Sequence, residues 1–289
     1  MPPIRHDGAW HDAQYNARAS IPEHPAILQQ WATRSAQALD TGRHVLDMAY
    51  GSDASERLDL FLPQRSGAAR APAPVLVYIH GGYWRALDKR DQRFVAPPFV
   101  EAGALVVLPN YALCPAVGIE HIVLQMVKAL AWVWRNAALY GGDPSRIVVA
   151  GHSAGGHLAT MMLQCRWHQV ASDLPPSLLR SALAVSGLYD LEPLRHAPFL
   201  APDLRLDAVS ARRLSPARMP SPAGRLVALV GGDESAEFHR QQALIERAWG
   251  SRVSAAVVPG CHHMNVLHTL ADPGSRTFAL ALSLLGLGG

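Results

Sequence analysis

Ile147-Val148-Val149-Ala150-Gly151-His152-Ser153-Ala154-Gly155-Gly156 is the stretch on which the fold turns. Its apolar start reads as a buried strand. A Gly-x-Ser-x-Gly turn follows without a gap, of the kind that lifts one serine hydroxyl clear of a sheet. A helix must begin at once, with its first amides toward that hydroxyl. Small neighbours are required because the backbone crowds close. A chance Gly-x-Ser-x-Gly in a loop lacks this strand-before, helix-after setting. Ser153 is therefore the candidate nucleophile. A free serine attacks poorly, so it needs a base, an acid and an oxyanion site.

Outward from this turn, apolar runs and helical periods alternate. Leu58 to Leu62 reads as a half-buried strand, and Gln64 to Pro74 as an exposed loop. Strands are expected at Val75 to Ile79, Ala104 to Leu108, Ala182 to Val185, Leu226 to Val230 and Val253 to Val258. Ile122, Val123, Met126, Val127, Leu130, Val133 and Trp134 recur at helical spacing. Leu158, Met161, Met162 and Cys165 mark the buried stripe of the helix after Ser153. Further helices are expected up to about Leu39, from Glu237 to Trp249, and in the tail Phe278 to Leu287. This alternation predicts an α/β fold: one domain over 1–289, with a mostly parallel sheet and helices on both faces. A long connection of about 187–224, rich in Pro, Arg and Leu, is expected to form a small cap. Active sites in such sheets lie beyond the carboxyl ends of the strands.

Composition excludes several classes. The chain has 289 residues, is 49% hydrophobic and carries a formal charge of +3, so a single large core is expected. Lys89 and Lys128 are its only lysines, and the arginines are scattered, which argues against a nucleic-acid surface. The three cysteines, Cys114, Cys165 and Cys261, make neither a disulfide framework nor a zinc pattern. No signal peptide or membrane-length apolar run is present, so a cytoplasmic setting without membrane contact is expected. No metal or organic cofactor is called for, and a homodimer is left open.

The remaining chemistry falls at strand ends. His80-Gly81-Gly82 follows the strand at 75–79. The amides of Gly81 or Gly82, with that of Ala154, are candidate oxyanion donors. Two adjacent histidines, His262 and His263, follow the last strand, and one should serve as base. Two adjacent carboxylates, Asp233 and Glu234, follow the strand at 226–230. The spacing from Gly231 favours Glu234, with Asp233 as a turn residue. Tyr83, Trp84 and Tyr189 flank motif glycines, where they could wall a binding site or pack in the core. Arg205, Arg212, Arg213 and Arg218 in the expected cap are candidates to meet a substrate carboxylate.

The order serine, acid, histidine is that of the α/β-hydrolases, and the chain resembles that superfamily over nearly its whole length. Within it, the chain is most similar to kynurenine formamidases of the serine-hydrolase type. The likeness rests on His80-Gly81-Gly82-Tyr83-Trp84, on Ser186-Gly187-Leu188-Tyr189-Asp190-Leu191, on Glu234 to Phe238 with Arg240-Gln241, and on His262-His263-Met264-Asn265. It implies Glu234 as acid and His263 as base. Glu stands where some members have Asp, and Met264 where Phe is frequent. The resemblance implies hydrolysis of N-formylkynurenine to kynurenine and formate, a step of tryptophan degradation. A carboxylesterase acting on short or aryl esters would use the same residues. A non-catalytic binding protein on this fold would not need all of them.

Overall fold

The computed structural model describes residues 6–63 and 71–288. Eight strands form one sheet: β1 (Arg43–Ala49), β2 (Arg57–Leu62), β3 (Ala73–Ile79), β4 (Leu105–Pro109), β5 (Gly142–His152), β6 (Ser181–Val185), β7 (Arg225–Gly231) and β8 (Val253–Val258). Their spatial order is β1-β2-β4-β3-β5-β6-β7-β8. The β1/β2 and β2/β4 pairings are antiparallel. All pairings from β4 to β8 are parallel. This is the α/β-hydrolase architecture.

The central strands are apolar on both faces because both are covered. In β3, Val75, Val77 and Ile79 belong to one core layer and Leu76 and Tyr78 to the other. The helix Ile119–Asn136 buries Ile122, Met126, Ala129, Leu130 and Val133 against the first layer. On the second face, Phe99 packs on Phe278 of the tail helix Arg276–Leu285, ring centroids 4.7 Å apart.

Three differences from the sequence reading stand out. Strand β1 has no clear mark in the sequence, because Arg43-His44-Val45-Leu46-Asp47-Met48-Ala49 shows no clean alternation. It is an edge strand, partly exposed, with a register shift between Val45 and Met48. The helical N-terminal stretch is in fact broken into Gly8–Tyr15, Ala17–Ser20 and His24–Gln37. Of the expected loop at 64–74, residues 64–70 lie outside the described residues, while Ala73 and Pro74 already belong to β3.

The parallel register lines up the carboxyl ends of β3, β5, β6, β7 and β8. Ile79 pairs with Gly151, His152 with Val185, and Gly231 with Val258. Gly81, Ser153, Ser186, Glu234 and His263 therefore emerge along one edge. Among the described residues, no helix is long and apolar enough to cross a membrane.

Candidate active site

Ser153 occupies the turn between β5 and the helix Ala154–Leu163 with φ 56° and ψ −119°. That left-handed conformation is costly for a side-chain-bearing residue and persists only where its surroundings enforce it. The Ser153 amide donates to Val185 O at 2.8 Å, and its carbonyl accepts from the His157 amide at 3.0 Å. The need for glycine is steric. A Cβ on Gly155 would sit 2.0 Å from Ile79 O.

His263 Nε2 accepts from Ser153 Oγ at 3.0 Å, and His263 Nδ1–H donates to Glu234 Oε2 at 2.6 Å. Glu234 Oε1 accepts from the Gly231 amide at 2.7 Å and from the Ser186 hydroxyl. Every strong partner of this buried carboxylate is thus a donor. Burial pushes the Glu234 carboxyl up, but the His263 ring, the Ser186 hydroxyl and the Gly231 amide outweigh it and hold it below the ordinary range. Asp233, its neighbour, is exposed, and its amide donates to Cys261 O at 2.9 Å. Of the two adjacent carboxylates, the structure brings Glu234 to the imidazole. His262 turns the other way: its Nδ1 accepts from the Met264 and Asn265 amides, and its Nε2 lies 3.2 Å from Glu23 Oε1.

His152 is a residue to which sequence reasoning assigned no part. It is buried, and its Nε2–H donates to the backbone carbonyl of His263 at 2.7 Å. Burial first, and then the neighbouring His263, hold its pKa down to about 3. A neutral ring therefore props the histidine loop. Phe238 braces His263 from another side, ring centroids 4.3 Å apart. In the sequence Ser186 stands out only as the first residue of the stretch Ser186 to Leu191. Its role as a donor to Glu234 needs a contact across 48 positions of sequence, which no local signal carries.

The glycine loop sits beside the serine. A Cβ on Gly81 would lie 3.4 Å from Ser153 Cβ and 2.8 Å from His152 O. The amides of Gly81, Gly82 and Ala154 take no protein acceptor among the hydrogen bonds of the described residues. The loop is held by Tyr111, whose hydroxyl donates to His80 O at 2.9 Å while its ring stacks on His80.

A cleft of about 90 Å³ opens above Ser153 and His263. Trp31, Tyr83 and Phe199 supply aromatic walls, with Leu28, Leu87 and Met264 between them. Two expected binding residues are elsewhere. Trp84 is fully buried and meets the His157 ring edge-on at 5.0 Å. Consecutive left-handed residues, Tyr83 and Trp84 with φ 51° and 55°, leave Tyr83 in the cleft and Trp84 in the core. Tyr189 is also core: it is 1% exposed, and its hydroxyl crowds Gly187.

Segment 187–224 contributes a single residue, Phe199, to the cleft lining. The N-terminal helices contribute more, with Asn16, Ala17, Arg18, Leu28 and Trp31. They are anchored by Tyr15, whose hydroxyl donates to Glu237 at 2.6 Å, and by Tyr83, whose hydroxyl donates to Tyr15 O at 2.5 Å. The cap arginines face other partners. Arg213 pairs with Glu120, Arg218 with Asp190 at 3.1 Å, and Arg205 Nε donates to Pro202 O at 3.3 Å. Neither they nor Arg212 line the cleft. Among the described residues, no group of three or more His, Cys, Asp or Glu is placed to hold a metal ion.

Residues 58–174 match the BD-FAE family model. A kynurenine formamidase from Danio rerio is 30% identical over 275 residues, covering 92% of this chain and 89% of that protein. The chain belongs to the kynurenine formamidase family of α/β-hydrolases. Its family likeness extends to structure. A protein from Silicibacter sp. tm1040, provisionally assigned as a thioesterase, superimposes with TM-score 0.80 at 31% identity, over 95% of this chain and 98% of that one. Esterase LipQ of Mycobacterium tuberculosis is 27% identical, covering 96% of this chain and 69% of that protein. The protein is thus an enzyme of the α/β-hydrolase type.

Proposed function

We propose that the protein is a serine hydrolase that cleaves N-formylkynurenine to kynurenine and formate, a step of tryptophan degradation. The observation that carries this reading is the hydrogen-bonded line Ser153–His263–Glu234 beneath an aromatic cleft, in a chain of the formamidase family.

The hydrogen-bonded arrangement supports the following steps. As the Ser153 proton passes to His263 Nε2, Ser153 Oγ attacks the formyl carbon. The new oxyanion is held by the Ala154 amide and those of Gly81 and Gly82. Glu234 keeps the proton on His263 Nδ1 and stabilises the imidazolium. The imidazolium then protonates the leaving aryl amine, the C–N bond breaks, and a formyl ester remains on Ser153. Water, deprotonated by His263, attacks that ester and releases formate. A second proton transfer from His263 restores the serine. Tyr83, Trp31 and Phe199 would hold the aryl ketone. No step calls for a metal or an organic cofactor, and a soluble, cytoplasmic enzyme fits such a substrate.

The esterase relative supports a second reading, a carboxylesterase on short or aryl esters. Turnover of N-formylkynurenine against p-nitrophenyl acetate separates the two. The formamide should show the higher kcat/KM, and rapid ester turnover with the formamide untouched overturns the first reading. Ser153→Ala should abolish labelling by a fluorophosphonate; equal labelling of the variant would dismiss Ser153 as nucleophile.

A further inference from the structure

The charge of the cleft is one-sided. Arg18 and Arg85 line it, and no aspartate or glutamate is among its lining residues. The two arginines differ. Arg85 is matched by Asp203 and lies over the Phe199 ring, 5.5 Å from its centroid. Arg18 is exposed and forms no ion pair among the described residues. It is carried on the short helix Ala17–Ser20, whose start is fixed by the Asn16 side chain accepting from the Ala19 amide at 3.2 Å. An uncompensated guanidinium therefore stands on the wall of a cleft that is otherwise lined mainly by aromatic and aliphatic side chains and that also takes in Ser153 and His263.

We propose that Arg18 is a specificity-determining residue, and that it selects aromatic substrates bearing a carboxylate on the arm remote from the scissile bond. A guanidinium meets a carboxylate through two parallel N–H···O bonds, which fixes direction as well as charge. The aromatic walls take the ring, Arg18 takes the anion, and the scissile carbonyl is left over Ser153. A neutral ester or amide of the same shape gains the walls and loses the fork. The inference rests on the reading of Ser153 and His263 as the reacting pair. It also replaces the expectation that the arginines of 187–224 would bind a carboxylate, since none of Arg205, Arg212, Arg213 and Arg218 lines the cleft.

The test is calorimetric titration of the full chain with 4-oxo-4-phenylbutanoate and with its neutral primary amide. For the native protein, the anion should bind about tenfold more tightly, the equivalent of one charge-assisted contact in a half-open site. Arg18→Ala should bring that ratio close to one, and Arg18→Lys should keep part of it. Raising the salt should weaken the anion and leave the amide alone. A native ratio near one, or a ratio unchanged in Arg18→Ala, overturns the proposal. Because binding is read without turnover, failure of the formamidase reading is seen separately. If N-formylkynurenine is not hydrolysed while the anion preference follows Arg18, only the substrate reading falls. If it is hydrolysed with the same KM in Arg18→Ala, only the role of Arg18 falls.

Discussion

Glu234→Gln should remove nearly all activity, through the proton on the imidazole and with little change of shape. In the native site, Oε1 accepts from the Gly231 amide at 2.7 Å and from the Ser186 hydroxyl, while Oε2 accepts from His263 Nδ1–H at 2.6 Å. Glutamine has only one oxygen. The two donors on the Gly231 side hold that oxygen, so the NH₂ group must turn toward His263. An N–H facing Nδ1 makes Nδ1 an acceptor and forces the proton onto Nε2. In the proposed mechanism Nε2 is the atom that takes the Ser153 proton, 3.0 Å away. The base is then in the wrong tautomer, and the positive ring of the transition state loses its counter-charge as well. The corresponding change in the serine-protease triad costs about 10⁴-fold in kcat, or about 5 kcal/mol. A loss of about that size is expected here. Asp233→Asn, at an exposed residue without a link to His263, should stay within about twofold, as surface changes do. The assay is steady-state turnover with N-formylkynurenine or p-nitrophenyl acetate, together with the rate of fluorophosphonate labelling. Melting curves should match the native protein to show that both variants are folded. If Glu234→Gln kept more than a tenth of native kcat, or Asp233→Asn lost as much as Glu234→Gln, the tautomer argument would be refuted.

Trp84→Ala should act on stability and not on substrate affinity: the ring is fully buried, so about 3–5 kcal/mol should be lost in denaturant titration. A raised KM with an unchanged melting curve would instead return Trp84 to the binding wall. His152 supplies a pH test. Its folded-state pKa of about 3 lies below the ordinary 6.5, so the unfolded chain binds the extra proton and stability falls as pH drops through the window from 6.5 to 3. At pH 5 this group alone should cost roughly 2 kcal/mol relative to neutral pH. His152→Gln, which can still donate to the His263 carbonyl, should shrink the difference between denaturation curves at pH 7 and pH 5 by about that much. An undiminished difference would mean that the acid sensitivity lies in other groups.

The elements that local pattern marks most strongly were legible. Val75 to Ile79 and Val253 to Val258 are apolar runs with turn residues beyond them, and the structure holds strands at Ala73–Ile79 and Val253–Val258. The helix Ala236–Trp249 begins one residue before its expected start. Strand β1 was not legible, because an edge strand half open to water has no need of a clean hydrophobic face. Cover over the site was misjudged for a related reason. Length and composition drew attention to 187–224, whereas Trp31 and Leu28 look from sequence like ordinary buried positions of a helix.

Local chemistry, then, determined the turn at Ser153, the order serine, acid, histidine, and the sheet that carries them. A run of β-branched residues and a glycine pair act on the few residues beside them, and so can be read in one dimension. Spacing and resemblance favour Glu234 and His263, but folding alone brought them into line with Ser153, turned His262 away, and sent Trp84 to the core and Tyr83 to the cleft. Each of these depends on partners distant in the chain, Ser186 for Glu234, His152 for the His263 carbonyl, Tyr15 for Tyr83. Which way a side chain faces is settled by where those partners stand, and only the packed structure places them.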